Sequence, residues 1–401
     1  MNLRFVSFLL LAAAAHAVTI PAGTQLQVRL LTEVSSDKSS GQPVSAVVVV
    51  PVFLSGIPVI SAGTRLTGNT ADVNPFHAAT EQAIEQSAKL RIQFTSLEDQ
   101  AGHTKHLDCV LESVDNARET VDASGLINGI AASETFEARI EQGINKLGSK
   151  YQGFAQLLSG IEGALVKPVN ASIDYKPGVD LTIKLTKALE WNWPATSIAV
   201  EPIAPADALT QIVNSEPFRT VAQKPPSPSD MTNLMFIGTT EAVQKAFQEA
   251  GWFPADRLSN TATLETARAL IENRGYSEAP MSILFLDGQP PSFALQKQNN
   301  TFAMRHHIRI WLRPQLFKGK PVWVAAATHD ISITLSPVSR SFTHAIDPDI
   351  DKERAKVVND LLFTGEVHGL ALVDRAGIPK DATNATGDKL ETDGRMAVLE
   401  F

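Results

Sequence analysis

Residues 305–312, RHHIRIWL, limit what this chain can fold into more than any other stretch. Written as a β-strand, they put Arg305, His307, Arg309 and Trp311 on one face and His306, Ile308, Ile310 and Leu312 on the other. The apolar face has to be core, with His306 at its end. The opposite face lines up two guanidinium groups and an imidazole about 7 Å apart. Three adjacent cations need anions, and guanidinium forks match both carboxylate and phosphate. Asp330, Asp347, Asp349 and Asp351 could supply them from within the chain. Two readings follow: an internal ion-pair network, or a site for an external anion.

The N-terminus reads as a secretory leader. Arg4 gives a short positive region, Phe5 to Ala15 an apolar one, and Ala15-His16-Ala17 a small-x-small cleavage site. Residues 1–17 are therefore expected to be removed after Ala17. The product is expected to be exported, periplasmic or secreted, and soluble, since no later run reaches about eighteen apolar residues. Removing Arg4 shifts the formal net charge from −8 to −9, and an acidic balance argues against nucleic acid as a partner. Cys109 is the single cysteine, so no internal disulfide can form and hydrophobic cores must hold the fold.

Residues 18–192 carry a weak repeat. IPAGTQLQVRL (20–30), ISAGTRLTGNT (60–70) and KPGVDLTIKL (176–185) each join a glycine turn to an alternating strand. In the first, Leu26, Val28 and Leu30 face inward and Gln25, Gln27 and Arg29 outward. This predicts a mostly-β barrel or sandwich. Phe136, Ile140, Ile144, Leu147, Tyr151, Phe154, Leu158 and Ile161 form a helical stripe, a helical insertion that packs on the barrel or touches a partner or membrane. Residues 74–88 read as a shorter helical excursion. Residues 193–229 hold seven prolines and read as an extended, exposed linker.

Residues 230–375 read as a second, α+β domain. Strands are predicted at Leu234–Ile237, Met281–Leu286, Ala303–Leu312, Val322–His329 and Ile331–Leu335. A helix capped by Thr240 ends at Gly251, and another covers 262–274. The last helix starts at Asp347-Pro348. The tail 376–401 is polar, and its closing MAVLEF reads as an edge strand.

THAIDPDID (343–351) offers His344, Asp347, Asp349 and Asp351. Its D-x-D-x-D spacing fits a calcium loop poorly, because neither the glycine nor the closing glutamate is in place. Helix capping explains Asp347 without a metal. Arg354 shares the last helix's apolar stripe, and its head needs a carboxylate, with Asp330 the obvious partner. A metal could be assembled from His307, His329, His344 and a carboxylate among Asp347, Asp349 and Asp351. The short spacing of a metalloprotease helix is absent, so the signal for a divalent metal is weak, and no other cofactor is indicated. A lone histidine at the position of His329 is more often structural. Nucleophile-elbow, phosphate-loop and dinucleotide fingerprints do not occur.

SDMTNLMFIG (229–238), AGW (250–252), RHHIRIW (305–311), VWVAAATHD (322–330) and THAIDPDIDKER (343–354) resemble the LssY C-terminal domain family over about residues 229–363. Members of that family are often fused to membrane-embedded DedA-like and PAP2-type lipid phosphatase domains. The resemblance therefore implies work at the cell envelope, near phosphorylated lipids, although those membrane domains are not found here. It implies no particular reaction. The matching polar positions are Arg305, His306, His307, Arg309, Trp311, Asp330, His344, Asp347, Asp349, Asp351 and Arg354. The N-terminal region is similar to extracytoplasmic β-barrel modules of secretion-channel proteins.

The expectation is an exported, envelope-associated protein whose second domain binds an anionic or phosphate-bearing ligand, a phosphorylated lipid or small anion. Arg305, His306, Arg309, Trp311, Asp347 and Arg354 are its candidate ligand-binding residues. The N-terminal β domain would serve an envelope or membrane partner. Two alternatives stand beside it. One is a phosphoester hydrolase using His307, His344 and Asp330, with or without a metal. The other is a structural or interaction module whose charges pair internally. Burial separates these readings: a site needs an open cleft, a network needs dry pairs.

Overall fold

The computed structural model describes residues 18–55, 57–79, 84–131, 171–192, 200–203, 207–223, 226–255, 283–297, 304–335 and 342–401, with backbone alone for 332–335 and 342–344. The leader 1–17, the helical stripe 136–161 and the helix expected at 262–274 lie outside the described residues.

The described chain is mostly strand, built around two nine-stranded sheets. The first contains β1 (Gln25–Leu30), β2 (Pro43–Val48), β3 (Arg65–Asn74), β4 (Lys89–Glu98), β5 (Cys109–Val114) and β6 (Asp180–Leu185). Its order is β5-β6-β1-β2-β3-β4, continued by Leu126–Asn128 and Thr120–Val121. Thr104–His106 doubles back along β4, and Leu107 N donates to Thr95 O at 2.9 Å as the chain enters β5. The sheet therefore curls toward a barrel. The three repeat copies become β1, β3 and β6, and their glycines, Gly23, Gly63 and Gly178, all take the positive φ that such turns require. Gly68 sits at a register shift between β3 and β4, where an added Cβ would lie 1.8 Å from Gln93 O. Leu26, Val28 and Leu30 are buried in this sheet's core, as alternation predicts. Arg29 is buried too, on the opposite face.

The segment 74–88 departs from expectation. Asn74 pairs with Lys89 and His77 bridges Gln86, so its described part is the extended tip of the β3–β4 hairpin rather than a helix.

The second sheet holds β7 (Leu234–Ile237), β8 (Trp252–Pro254), β9 (Phe293–Lys297), β10 (Arg305–Phe317), β11 (Lys320–Leu335), β12 (Gly369–Asp374) and β13 (Arg395–Glu400). After Glu201–Pro202 its order is β12-β13-β7-β11-β10-β9-β8. β11 runs through both strands expected at 322–335. β13 is not an edge strand: it lies between β12 and β7, parallel to the latter. Both faces of this sheet are covered, which explains why β10 is buried from Arg305 to Trp311.

On one face lie α2 (Thr240–Glu249) and α3 (Ile350–Thr364), packed on Ile308, Ile310, Trp323 and Ala325. On the other lies α1 (Asp207–Ser215), whose Leu209 and Val213 join Trp311, Val324 and Val398. Each such buried aliphatic contributes roughly 1.5–3 kcal/mol. The proline-rich stretch thus differs from the extended linker expected. It contains α1 and a hairpin, Arg219–Gln223 with Pro226–Met231, which Leu284–Phe285 extends. Its prolines do not interrupt α1, and Pro226 and Pro228 sit in the outer strand of this small sheet.

The caps also shift. Thr239, not Thr240, caps α2, accepting from Ala242 N. Asp349, not Asp347, caps α3, accepting from Asp351 N. Among the described residues no helix is long and apolar enough to cross a membrane.

Candidate functional site

β10 and β11 pair antiparallel with Arg305 opposite Asp330, His306 opposite His329, His307 opposite Thr328 and Arg309 opposite Ala326. This register sends two sets of polar side chains to the two faces.

On the α1 face Asp330 serves both neighbours: its Oδ1 lies 2.7 Å from His307 Nε2 and its Oδ2 accepts from Arg305 Nε at 3.2 Å. Gln296 also accepts from Arg305, and Thr328 contacts the His307 ring. Arg309 Nη1 donates to Asp230 Oδ2 at 3.1 Å. All of these residues are buried, so the row of cations is dry and answered by protein carboxylates. Asp330 was an expected partner; Asp230, at the end of the small hairpin, was not.

On the α3 face His306 stacks on His329, ring centres 4.3 Å apart. His306 Nδ1 lies 2.7 Å from Glu353 Oε2 in the first turn of α3. Its Nε2 lies 2.9 Å from Asp115 Oδ2, just beyond β5 of the first sheet. His329 Nε2 lies 2.6 Å from Asn116 Oδ1. Burial would lower the His306 pKa, but Glu353 and Asp115 overcome it and hold it up at about 9. Burial, then the charge on His306, pushes His329 down.

This contact belongs to a longer seam between the two sheets. Arg29 of β1 binds Asp180 at 2.7 Å and Asp360 of α3 at 2.6 Å. Lys297 of β9 binds Asp360 at 2.6 Å, and Lys356 of α3 binds Asp180 at 2.7 Å. Trp252 Nε1 adds a donor to Asp360. Burial lowers Lys297 to about 8 despite its carboxylates. Burial works against ionisation of Asp180 and Asp360 too, but Lys297, Lys356 and Arg29 hold both below the usual carboxylate range.

A cavity of about 830 Å³ opens at the β8–β9 edge of the second sheet. Phe247, Trp252, Phe253, Ile283 and Phe285 give it an apolar wall, and Arg309 is the one charged group among its described lining residues. Phe253 and Ile283 are partly exposed at this site. Burial pulls the Arg309 pKa down against the neighbouring Asp230 and Asp330.

The remaining candidates separate. Trp311 packs in the core and donates to Gln289 O. Asp347 holds Lys352 and accepts from Asp349 N, so it orients none of the β10 cations. Asp349 is a cap, and Asp351 binds Arg354. Arg354 does not reach Asp330; it grips Asp393 with both terminal nitrogens and Asp351 as well. The backbone of His344 pairs with Ile333, and its side chain lies outside the described set. Sequence reasoning passed over Arg29, Asp115, Asp180, Lys297, Glu353, Lys356 and Asp360. The usable signals were an arginine one residue from the end of an alternating strand and a Lys356–Asp360 pair one turn apart on a helix.

Residues 214–396 match the family model described as LssY C-terminus. No curated protein sequence matches the chain. Among solved structures, ComB10 of the Com type IV secretion system of Helicobacter pylori aligns at 13% identity. The alignment covers 44% of this chain and 92% of that one, with a TM-score of 0.24.

Proposed function

Taking residues 214–396 as an LssY C-terminus domain, we propose that the protein is exported to the envelope and binds a ligand with an apolar body and a single anionic group. One observation carries the reading: an apolar cavity of about 830 Å³ with Arg309 as its charged lining. Volumes of this order suit small-molecule sites, whose orientation is set by a few polar groups. Arg309 bears a burial penalty that a second anion would relieve. Arg305 and His307 do not line the cavity and are engaged with Asp330, so the three-cation clamp reduces to one guanidinium. A phosphorylated lipid has this chemistry.

The dryness of Arg305, His307 and Asp330 favours a second reading, in which the charged row is scaffold. Calorimetric titration of the mature chain with monomeric lysophosphatidate, a neutral monoacylglycerol and inorganic phosphate separates the two. Lysophosphatidate is expected to bind, and Arg309→Met to weaken it tenfold or more, given about 1.5–3 kcal/mol for a hydrogen bond to a charged group. Binding of the neutral lipid should be unchanged. No binding, or equal loss for both lipids, would leave the scaffold reading.

A further inference from the structure

We propose that His306, His329 and Glu353 form a binding site for a divalent first-row metal ion of zinc type, placed at the seam between the two sheets. The three residues lie close enough for one nitrogen from each imidazole and one carboxylate oxygen to fall within 4.8 Å of one another. Three further observations point to a ligand.

The first is the anchoring of both rings. His306 Nε2 faces Asp115 Oδ2 at 2.9 Å, and His329 Nε2 faces Asn116 Oδ1 at 2.6 Å. Each Nε2 donates, which leaves Nδ1 of each ring for the ion, on His306 in exchange for the proton it shares with Glu353. Metal-bound histidines are held this way, the far nitrogen donating to a carboxylate or carbonyl that fixes tautomer and orientation. Here two consecutive residues anchor both rings. Asn116 takes φ 55, a conformation asparagine tolerates, to turn the chain there.

The second is Glu353. It is buried, its Oε2 meets His306 Nδ1, and its Oε1 has no hydrogen-bond partner among the described residues. A buried acceptor left unmade costs free energy, and a cation would satisfy it.

The third is rigidity. His306 and His329 are register partners on the two longest strands, and Glu353 sits in the first turn of a helix packed on them. Imidazole with carboxylate is a donor set for zinc, with bonds of about 2.0–2.2 Å. The ion would take the place of the proton between His306 Nδ1 and Glu353 Oε2, releasing it, and part those atoms by about half an ångström. A solvent molecule completes a four-coordinate shell. Since Asp115 and Asn116 follow β5 of the first sheet and the ligands come from the second sheet and α3, the ion would also tie the two halves together.

Cobalt(II) titration of the mature, metal-stripped chain, followed by visible absorption, reads the coordination directly. One equivalent is expected to give the intense d–d bands of a four-coordinate N/O site, and one equivalent of zinc to abolish them. Glu353→Gln and His329→Gln should lose the bands. Asn116→Ala, which keeps all three ligands, should weaken cobalt binding about 10–100-fold. Folding of each variant is checked by circular dichroism, and an unfolded one is replaced by the Asn116→Ala comparison. No bands with the folded wild type, bands that survive both ligand substitutions, or unchanged affinity in Asn116→Ala overturns the site. Lipid binding at Arg309 is not involved in any of these readings.

Discussion

Asp330 is the residue on which the charged row of β10 depends. One carboxylate answers both His307 and Arg305, and all three are buried. A buried ion pair is not by itself a large source of stability, because desolvation offsets much of the attraction. Removing one member is different, since taking away this carboxylate withdraws one buried anion from both cations at once. Asp330→Ala is therefore expected to cost about 3–5 kcal/mol in urea unfolding. A loss below about 1 kcal/mol would mean that Gln296 and Thr328 suffice for the two cations. The sequence foretold the row itself, because strand alternation places Arg305, His307 and Arg309 on one face whatever the tertiary fold, but left Asp330 as one of four candidate anions. It could not foretell the partner of Arg309. Asp230 arrives from a hairpin in a proline-rich stretch, and nothing in local pattern links positions 230 and 309.

At the scale of elements, α3 shows where local signals mislead. Asp347-Pro348 has the form of a helix start, yet Asp349 is the cap, because Asp347 folds onto Asp349 N and Asp351 is drawn to Arg354, Thr392 Oγ1 and the amide of Asp393. Tertiary bonds chose among three equivalent aspartates. The same contacts fasten α3 to the turn before β13, through the paired bonds of Arg354 to Asp393. Burial works against the charged form of Asp393, but the bonds from Arg354 and Arg395 hold its carboxyl well below the usual range. A depressed folded-state value means stability that is fully present above the unfolded value of about 3.9 and lost as pH falls through the folded one. Asp393→Asn should thus lower the melting temperature at neutral pH. From about pH 5 to about pH 3 it should then lose less than the wild type. Parallel acid profiles for the two would show that the Arg354 clamp carries no linked stability. β13 departs from the expected edge for a related reason. Six residues rich in apolar side chains fit an edge or a centre equally well, and only the parallel pairing with β7, remote in sequence, decides.

For the molecule as a whole, the seam between the two sheets decides whether the chain behaves as one unit or two. Alternation predicted Arg29 on the face away from the first core, and that is where it lies. Solvent was the natural expectation there, but α3 and the end of α2 meet it. Its partners are 151 and 331 positions away, so no periodicity or spacing could reveal them. Each half has its own hydrophobic core. What joins them in the described structure includes Arg29, Lys297 and Lys356 shared between Asp180 and Asp360, with His306 and Asp115 beside them. Removing the guanidinium leaves Asp360 with less cationic charge in a dry place, and also frees the carbonyl of Ala250. Arg29→Met keeps most of the side chain's volume and isolates the charge. If the seam couples the cores, scanning calorimetry of the wild type should show one transition. In Arg29→Met the penalty of about 3–5 kcal/mol should fall on the contact between the halves, splitting or broadening that transition. A single transition moved uniformly downward would place the lost energy inside one core. An unmoved one would show that Lys297 and Lys356 hold the carboxylates without Arg29.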